Sequence, residues 1–308
     1  MCRVRGVGGV DAAMQVRSTA RRIERYAGDY GFALAELEAL EVDLLDAEQR
    51  LLKGSYGGKR QGSQRVPDRT EELFSDVGFY WSAGQVWKSL LAALRVKESG
   101  RVAEVACGVV PKVGGALHYG AFNGTLDLVD LSQEALARAS RWLTLLGCRF
   151  PHRSVCSSLF DLDERSYEGI FANHVIDDLL LYTHCKESGV SLQELLSDGT
   201  RYVEMWRSLL NITIDIPAFV TVLVDVLVKV LAPGGIVVMC DYDSHTHCEL
   251  GLEEIPLLVR EVQSQVRTEF ISRGLRSLED LVPEQLDSDR FQIGRNDVVA
   301  FCKVGGGV

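Results

Sequence analysis

Hydrophobic and polar residues are arranged in two different ways along this chain. Residues 11–52 and 67–94 carry apolar side chains at helical spacing, with charged residues between them. From residue 101 onwards, short apolar runs alternate with longer amphipathic stretches, as expected when strands and helices follow one another. The pattern predicts a helical cap over residues 1–94 and an α/β domain over residues 95–308.

The hydrophobic pattern of the α/β part predicts five strands that alternate with helices. The strands are Arg101–Val105, Thr125–Val129, Phe150–Ser157, Glu168–Ala172 and Ile236–Cys240. The helices that are easiest to recognise are Gln133–Leu146, Pro217–Leu231 and Pro256–Arg273. An insertion at about 179–211 separates the fourth strand from the helix that leads to the fifth, and Phe291–Gly294 with Asp297–Lys303 predicts a final antiparallel hairpin.

Small and acidic residues follow the first two strands. Glu104 lies near the end of the first strand and Gly108 follows in a small-residue bend, while Asp130 ends the second strand. In a doubly wound sheet, ligands bind at the carboxyl ends of the strands, where glycine permits close backbone approach and an acid can bind ribose hydroxyls. These residues therefore predict a nucleoside-binding edge.

This order of parts resembles the class I S-adenosylmethionine-dependent methyltransferases over roughly residues 95–304. The resemblance implies a Rossmann-like, doubly wound, mostly parallel seven-stranded sheet with an N-terminal helical cap. It implies S-adenosylmethionine as the cofactor, although Ala106 and Val110 stand where the family usually has glycines. The residues that it assigns to cofactor binding are Glu104, Ala106, Cys107, Gly108, Asp130, Leu131, Ser132, Asp161 and Asn173.

The resemblance places the reaction side of the pocket after the fourth strand. There Asn173 could accept a hydrogen bond from an acceptor amine, and His174 or Asp177 could take up its proton. Four tyrosines are candidates for substrate contact: Tyr80, Tyr182, Tyr202 and Tyr242. Packing within the fold is the alternative for the first three of them. Asp161 is either a contact to the adenine amino group or a solvated charge in an acidic turn.

Composition narrows the kind of substrate. The chain has 308 residues and a formal net charge of -10, which disfavours nucleic acid as a partner and favours a small molecule. Its eight cysteines show no paired spacing and no secretory leader precedes them, so we expect reduced thiols in a cytoplasmic protein. The apolar stretch Ile214–Leu231 contains charged residues and predicts a buried helix without membrane contact. A homodimer is compatible with the sequence.

Two local features leave alternatives open. The glycine-rich segment Gly54–Gly62 is either a linker or a lid over the pocket. The run His245-Thr-His247-Cys248 has an unfavourable spacing for zinc and no second ligand cluster nearby in the sequence, so we predict no metal site.

Three functional hypotheses remain. The first is a small-molecule methyltransferase with a nitrogen or oxygen acceptor, plausibly in secondary metabolism. The second is a cyclase, a lyase on the same fold, in which the α-amine of S-adenosylmethionine attacks its own γ-carbon to form azetidine-2-carboxylate and methylthioadenosine. The third is a cofactor-binding regulatory or scaffold protein without turnover.

Overall fold

The computed structural model describes residues 84–305, apart from residues 85, 109–110, 121, 146–147, 163–165, 196–198, 243–246, 248–249 and 288–291. Most of the predicted cap, including Tyr80 and the Gly54–Gly62 segment, lies outside the described residues. The part of the cap that is described contains helix α1, residues 86–93. The domain boundary at residue 94 stays a prediction.

A seven-stranded sheet organises the described chain. Its strands are β1 (Arg101–Val105), β2 (Thr125–Asp130), β3 (His152–Cys156), β4 (Tyr167–Asn173), β5 (Leu231–Cys240), β6 (Arg276–Ser277) and β9 (Val298–Cys302). The strand order is β3-β2-β1-β4-β5-β9-β6. The first five strands are parallel, and β9 runs antiparallel between β5 and β6. The predicted fold class is confirmed, including a last strand inserted within the sheet.

Helices cover both faces of this sheet. They are α2 (Lys112–Tyr119), α3 (Gln133–Leu145), α4 (Ile176–Glu187), α5 (Leu192–Leu195), α6 (Gly199–Leu210), α7 (Ile216–Val230) and α8 (Glu254–Ser272). Side chains of α1 to α3 form one hydrophobic core with the sheet, and those of α4 to α8 form the other. The predicted insertion corresponds to α5, α6 and the greater part of α4.

Helix α7 shows how local sequence determines one of these elements. The Asp215 carboxylate accepts a hydrogen bond from the Ala218 amide at 3.0 Å, and Pro217 lies in the first turn, where its missing amide proton costs nothing. Phe219, Leu223 and Leu227 recur at helical spacing and are buried against the sheet. None of the helices in the described part of the chain is long and apolar enough to cross a membrane.

The predicted C-terminal hairpin is wrong. Gln292–Gly294 (β8) pairs with Gln285–Asp287 (β7) in a separate two-stranded sheet, whereas β9 enters the main sheet. The short 3-10 turn Arg295–Asp297 separates β8 from β9. One of the two edge strands of the main sheet is the two-residue β6, which the sequence does not reveal because both of its residues are polar and exposed.

A Pro-Gly-Gly turn, residues 233–235, lies inside the fifth strand. Strand β5 begins at Leu231, which pairs with Tyr167, and the register shifts before Ile236 pairs with Gly169. Gly234 has φ +77, the left-handed conformation that glycine adopts without steric cost. The strand therefore starts at Leu231, earlier than the predicted start at Ile236.

Candidate active site

The order of strands reverses between β1 and β4, which are neighbours in the sheet. At such a switch point the loops after the two strands turn towards opposite faces and leave a crevice between them. The residues that follow β1, β2, β4 and β5 all lie at this edge. Adjacent strands are about 4.8 Å apart, so the ends of β2 and β4 are about 10 Å apart.

The bend after β1 is tied to the end of β2. The Asp130 carboxylate accepts hydrogen bonds from the Gly108 amide at 3.0 Å and from the Ser132 amide at 2.9 Å. Gly108 has φ +62, and a Cβ placed on it would meet no atom within 4 Å, so the bend faces open space. The structure thus brings together three of the residues predicted to bind the cofactor.

Ala106 adopts a backbone conformation that glycine would adopt with less strain. Its φ is +51, in the left-handed region, where a residue with a Cβ is disfavoured by about 1–2 kcal/mol. The methyltransferase family that the sequence resembles usually has a glycine at this position. The backbone of this chain forms the bend with alanine instead.

Glu104 and Cys107 point inward, away from the crevice. Both Glu104 oxygens accept amide hydrogen bonds from the first turn of α2, from Val113 at 3.1 Å and from Gly114 at 2.8 Å. Burial raises the pKa of Glu104 to about 7, and burial also raises the pKa of the Cys107 thiol. These two residues support the bend, and their direct contact with a cofactor stays a prediction.

The rim beyond Asp130 combines apolar and polar groups. The Leu131 side chain is exposed, and the Ser132 hydroxyl accepts a hydrogen bond from the Ala135 amide at the start of α3. Asp161 is exposed at the end of a short 3-10 helix, Leu159–Asp161, so neither interpretation of it is decided. Leu131 adds exposed apolar surface beside Asp130.

On the other side of the crevice, Asn173 lies in a buried hydrogen-bond network. The indole nitrogen of Trp87 donates to Asn173 Oδ1 at 2.7 Å, and Asn173 Nδ2 donates to the Tyr242 hydroxyl at 3.3 Å. Trp87 is fully buried, and no local pattern in the sequence connects it to the fourth strand. Helix α1 therefore contacts the end of β4 directly through this hydrogen bond.

His174 has a strained backbone conformation at the end of β4. Its φ is +56, and its amide donates to the carbonyl of Cys240 at 2.7 Å. The imidazole stacks on the Tyr242 ring, with centroids 5.0 Å apart and an interplanar angle of 19°. A non-glycine residue in the left-handed region costs about 1–3 kcal/mol and is common at functional sites.

Three side chains meet beside this histidine. His174 Nε2 lies 3.5 Å from Asp177 Oδ2, and His247 Nε2 lies 3.4 Å from the same oxygen. Burial, with a smaller contribution from His174, lowers the pKa of His247 to about 4, so His247 is neutral at pH 7. The fold unites two of the three predicted catalytic residues, His174 and Asp177, with a residue that the sequence left without a role.

Asp241 is a further residue that sequence reasoning missed. One of its oxygens accepts hydrogen bonds from the amides of Val175 at 2.6 Å and Ile176 at 2.9 Å, at the start of α4. Burial raises the pKa of Asp241 to about 6. An acid directly after an apolar strand was the available signal, since such residues lie at the carboxyl edge of the sheet.

The described tyrosines that were predicted to contact substrate pack against different neighbours. Tyr182 stacks on Phe160 with centroids 6.3 Å apart, and Tyr202 makes an edge contact with Trp206 at 6.5 Å. Burial, with smaller contributions from Asp178 and Asp177, raises the pKa of Tyr202. Tyr242 is the tyrosine that contacts the other predicted site residues in the described part of the chain.

The chain matches no protein-family model, and no curated protein is similar to it. Solved structures resemble it at low identity. A SAM-dependent methyltransferase from Aquifex aeolicus is 14% identical, with 71% of this chain and 89% of that chain covered and a TM-score of 0.41. The N-methyltransferase NodS from Bradyrhizobium japonicum is 15% identical, with coverages of 67% and 86% and a TM-score of 0.35.

A SAM-dependent methyltransferase from Geobacter sulfurreducens in complex with S-adenosyl-L-homocysteine is 15% identical, with coverages of 50% and 46% and a TM-score of 0.32. The strand order and the inserted antiparallel strand identify the fold, which is that of the class I S-adenosylmethionine-dependent methyltransferases.

Proposed function

We propose that this chain is an S-adenosylmethionine-dependent methyltransferase that acts on an amine or hydroxyl group of a small molecule. The observation that supports this proposal most strongly is the pairing of two half-sites across one switch point. The Gly108–Asp130 contact lies on one side, and the buried Asn173 network with His174 lies on the other.

The first half-site suits the cofactor. The open space at Gly108 admits the methionine part of the cofactor, and Asp130 accepts hydrogen bonds from the ribose hydroxyls. Leu131 contributes exposed apolar surface for the adenine ring. The Asp130 carboxylate and the Gly108 bend are already held together by a hydrogen bond to the backbone, so little reorganisation of these two residues is needed when the cofactor binds.

The second half-site suits the transfer step. An acceptor nitrogen or oxygen attacks the methyl carbon, the carbon–sulfur bond breaks with its electrons on sulfur, and S-adenosylhomocysteine leaves. The methyl group is already activated by the sulfonium, so the protein supplies mainly position and a place for one proton. His174 next to Asp177 can receive that proton, and Asn173 with Tyr242 forms the polar wall behind it.

One contact favours the cyclase as a second candidate. Trp87 from the N-terminal region already occupies Asn173 Oδ1, which reduces the polar surface left for a separate acceptor. If the described pocket is filled by S-adenosylmethionine alone, its own α-amine is the nearest nucleophile. The same proton acceptor would then serve an attack on the γ-carbon that expels methylthioadenosine.

Product analysis separates these possibilities. Purified full-length protein is incubated with S-adenosylmethionine, first alone and then with a library of small amines, phenols and hydroxy acids, and the nucleoside products are identified by mass spectrometry. We expect S-adenosylhomocysteine only when an acceptor is added. Methylthioadenosine without an acceptor would establish the cyclase and overturn the methyltransferase, and binding without any turnover would leave the scaffold hypothesis.

A further inference from the structure

The group formed by His174, Asp177 and His247 has the geometry of a metal site. Its two nitrogen–oxygen distances are 3.5 Å and 3.4 Å, and the three candidate ligand atoms lie within 4.8 Å of one another. Ligands at about 2.0–2.1 Å from a tetrahedral ion are about 3.3–3.4 Å apart, so both distances fit an ion at the centre. A direct charge-assisted hydrogen bond would be shorter, at about 2.7–2.9 Å.

The carboxylate is oriented towards the two imidazoles. Asp177 Oδ1 accepts a hydrogen bond from the amide of Asp178 at 2.9 Å, which leaves Oδ2 as the atom that faces both histidines. Asp177 is also almost fully buried, so its orientation is fixed by its surroundings. Hydrogen bonds of this kind to a ligating carboxylate are typical of metal centres.

The two imidazoles are held by aromatic neighbours. Tyr242 stacks on the ring of His174, and Trp206 makes an edge contact with the ring of His247 at a centroid distance of 5.9 Å. The left-handed backbone of His174 places this ring at the end of β4, beside Tyr242, which follows β5. Such packing sets the ring orientations before any ion binds.

From this geometry we propose that His174, Asp177 and His247 bind a divalent first-row transition-metal ion. Two imidazole nitrogens and one carboxylate oxygen suit zinc or ferrous iron, whereas magnesium prefers oxygen ligands only. The His247 and Asp177 side chains are 5% and 6% exposed, and His174 is 24% exposed. The positions left open on the ion therefore face the crevice beside His174.

The chemical role of the ion rests on the proposed function, but its binding does not. A hydroxyl acceptor binds through its oxygen to the ion, which lowers the pKa of the O–H group. The proton passes to bulk water, and the oxygen attacks the methyl carbon as the carbon–sulfur bond breaks. A nitrogen of His174 that holds an ion is not available as the proton acceptor, so the proposal favours oxygen acceptors over amines.

Metal titration of the full-length protein tests this site. The protein is treated with EDTA, exchanged into metal-free buffer, and titrated with Zn²⁺ by calorimetry and with Co²⁺ by visible absorption. We expect one ion per chain and absorption bands typical of Co²⁺ bound to nitrogen ligands. Asp177→Asn and His247→Ala should each weaken binding at least about tenfold, and Mg²⁺ should not compete.

Two control variants remove similar groups outside the cluster. Asp178→Asn changes the neighbouring carboxylate and His152→Gln changes a histidine on β3, and both should bind Zn²⁺ like the unmodified chain. Circular dichroism and thermal unfolding establish that each variant is folded. Equal affinity in all four variants, or no binding by the unmodified chain, would overturn the metal site.

Cofactor titration keeps this result separate from the proposed function. Binding of S-adenosylmethionine by the metal-free protein without any Zn²⁺ binding would reject the ion and leave the methyltransferase proposal in place. Zn²⁺ binding that depends on Asp177, with no S-adenosylmethionine binding in either metal state, would reject the function and retain the ion.

Discussion

Asp130 is the central residue of the proposed cofactor half-site. Its carboxylate fixes the Gly108 amide and the Ser132 amide, and in the proposed complex it also accepts hydrogen bonds from ribose. A hydrogen bond to a charged group is worth about 1.5–3 kcal/mol. We expect Asp130→Ala to weaken S-adenosylmethionine binding about 10- to 100-fold, measured by isothermal titration calorimetry.

A matched substitution distinguishes the loss of the Asp130 hydrogen bonds from the loss of a negative charge elsewhere on the protein. Asp225 is an aspartate on the exposed side of α7, where it pairs with Arg273, far from the carboxyl edge. Asp225→Ala should leave the dissociation constant unchanged. An Asp130→Ala protein that is folded and binds the cofactor normally would remove the basis for the proposed half-site.

At the residue level, the sequence predicted which strand ends carry the polar groups. Asp130, Asn173 and His174 each follow an apolar strand, and the rule that such residues share an edge of the sheet placed them correctly. The partners of these residues could not be predicted. Trp87 and His247 reach the site only through tertiary contacts with residues far away in the sequence, and a local pattern contains no information on such pairs.

Among the elements, strands β1 to β4 share one buried charge. Asp127 on β2 is fully buried and accepts hydrogen bonds from Arg101 at 2.8 Å, Arg153 at 2.9 Å and the Tyr167 hydroxyl at 2.8 Å. These three partners come from β1, β3 and β4. Removing the carboxylate charge would leave two guanidinium groups without their shared counter-ion.

We expect Asp127→Asn to lower the free energy of unfolding by about 2–3 kcal/mol. Breaking a buried ion pair costs about 3–5 kcal/mol, and the partial exposure of both arginines reduces that cost. Urea denaturation followed by circular dichroism measures the change. The exposed pair Lys97–Glu168 provides the control, since Glu168→Gln should cost less than about 1 kcal/mol. Similar losses in the two variants would contradict the special role of Asp127.

Helices and strands were predicted correctly where one face of the element, or the whole element, is buried. Helices α3, α7 and α8 and strands β1 to β4 were located to within two residues at every end, because their apolar spacing matches the helical or strand period. The hairpin prediction failed because pairing partners are chosen by the whole sheet. Strand β9 is buried at four of its five positions, where it lies between β5 and β6.

For the whole molecule, the buried carboxyl group of Glu104 makes the free energy of unfolding depend on pH. The pKa of Glu104 rises from 4.5 to about 7 on folding, because burial disfavours its charged form. Between these pH values the folded protein holds a proton that the unfolded chain has lost. The resulting stabilisation is complete below pH 4.5 and is lost as the pH rises through 7.

The Glu104→Gln variant isolates this contribution. At about 1.36 kcal/mol per pKa unit, Glu104 makes the unfolding free energy fall by about 3 kcal/mol between pH 4.5 and 7. The neutral amide does not titrate, so the variant should show a shallower decrease over the same range in urea denaturation. Glu134→Gln, on the exposed first turn of α3, should retain the full decrease. A Glu104→Gln protein with the same pH dependence as the unmodified chain would contradict this account.

The inserted position of β9 has a consequence for synthesis of the protein on the ribosome. Both neighbours of β9, the strands β5 and β6, are translated earlier, yet they are held in one sheet only through it. A nascent chain that ends before Val298 exposes the hydrogen-bonding groups along one side of β5, and such an open side invites pairing with other chains. We therefore expect this protein to complete its folding only after Val298–Cys302 has left the exit tunnel, and to depend on chaperones until then.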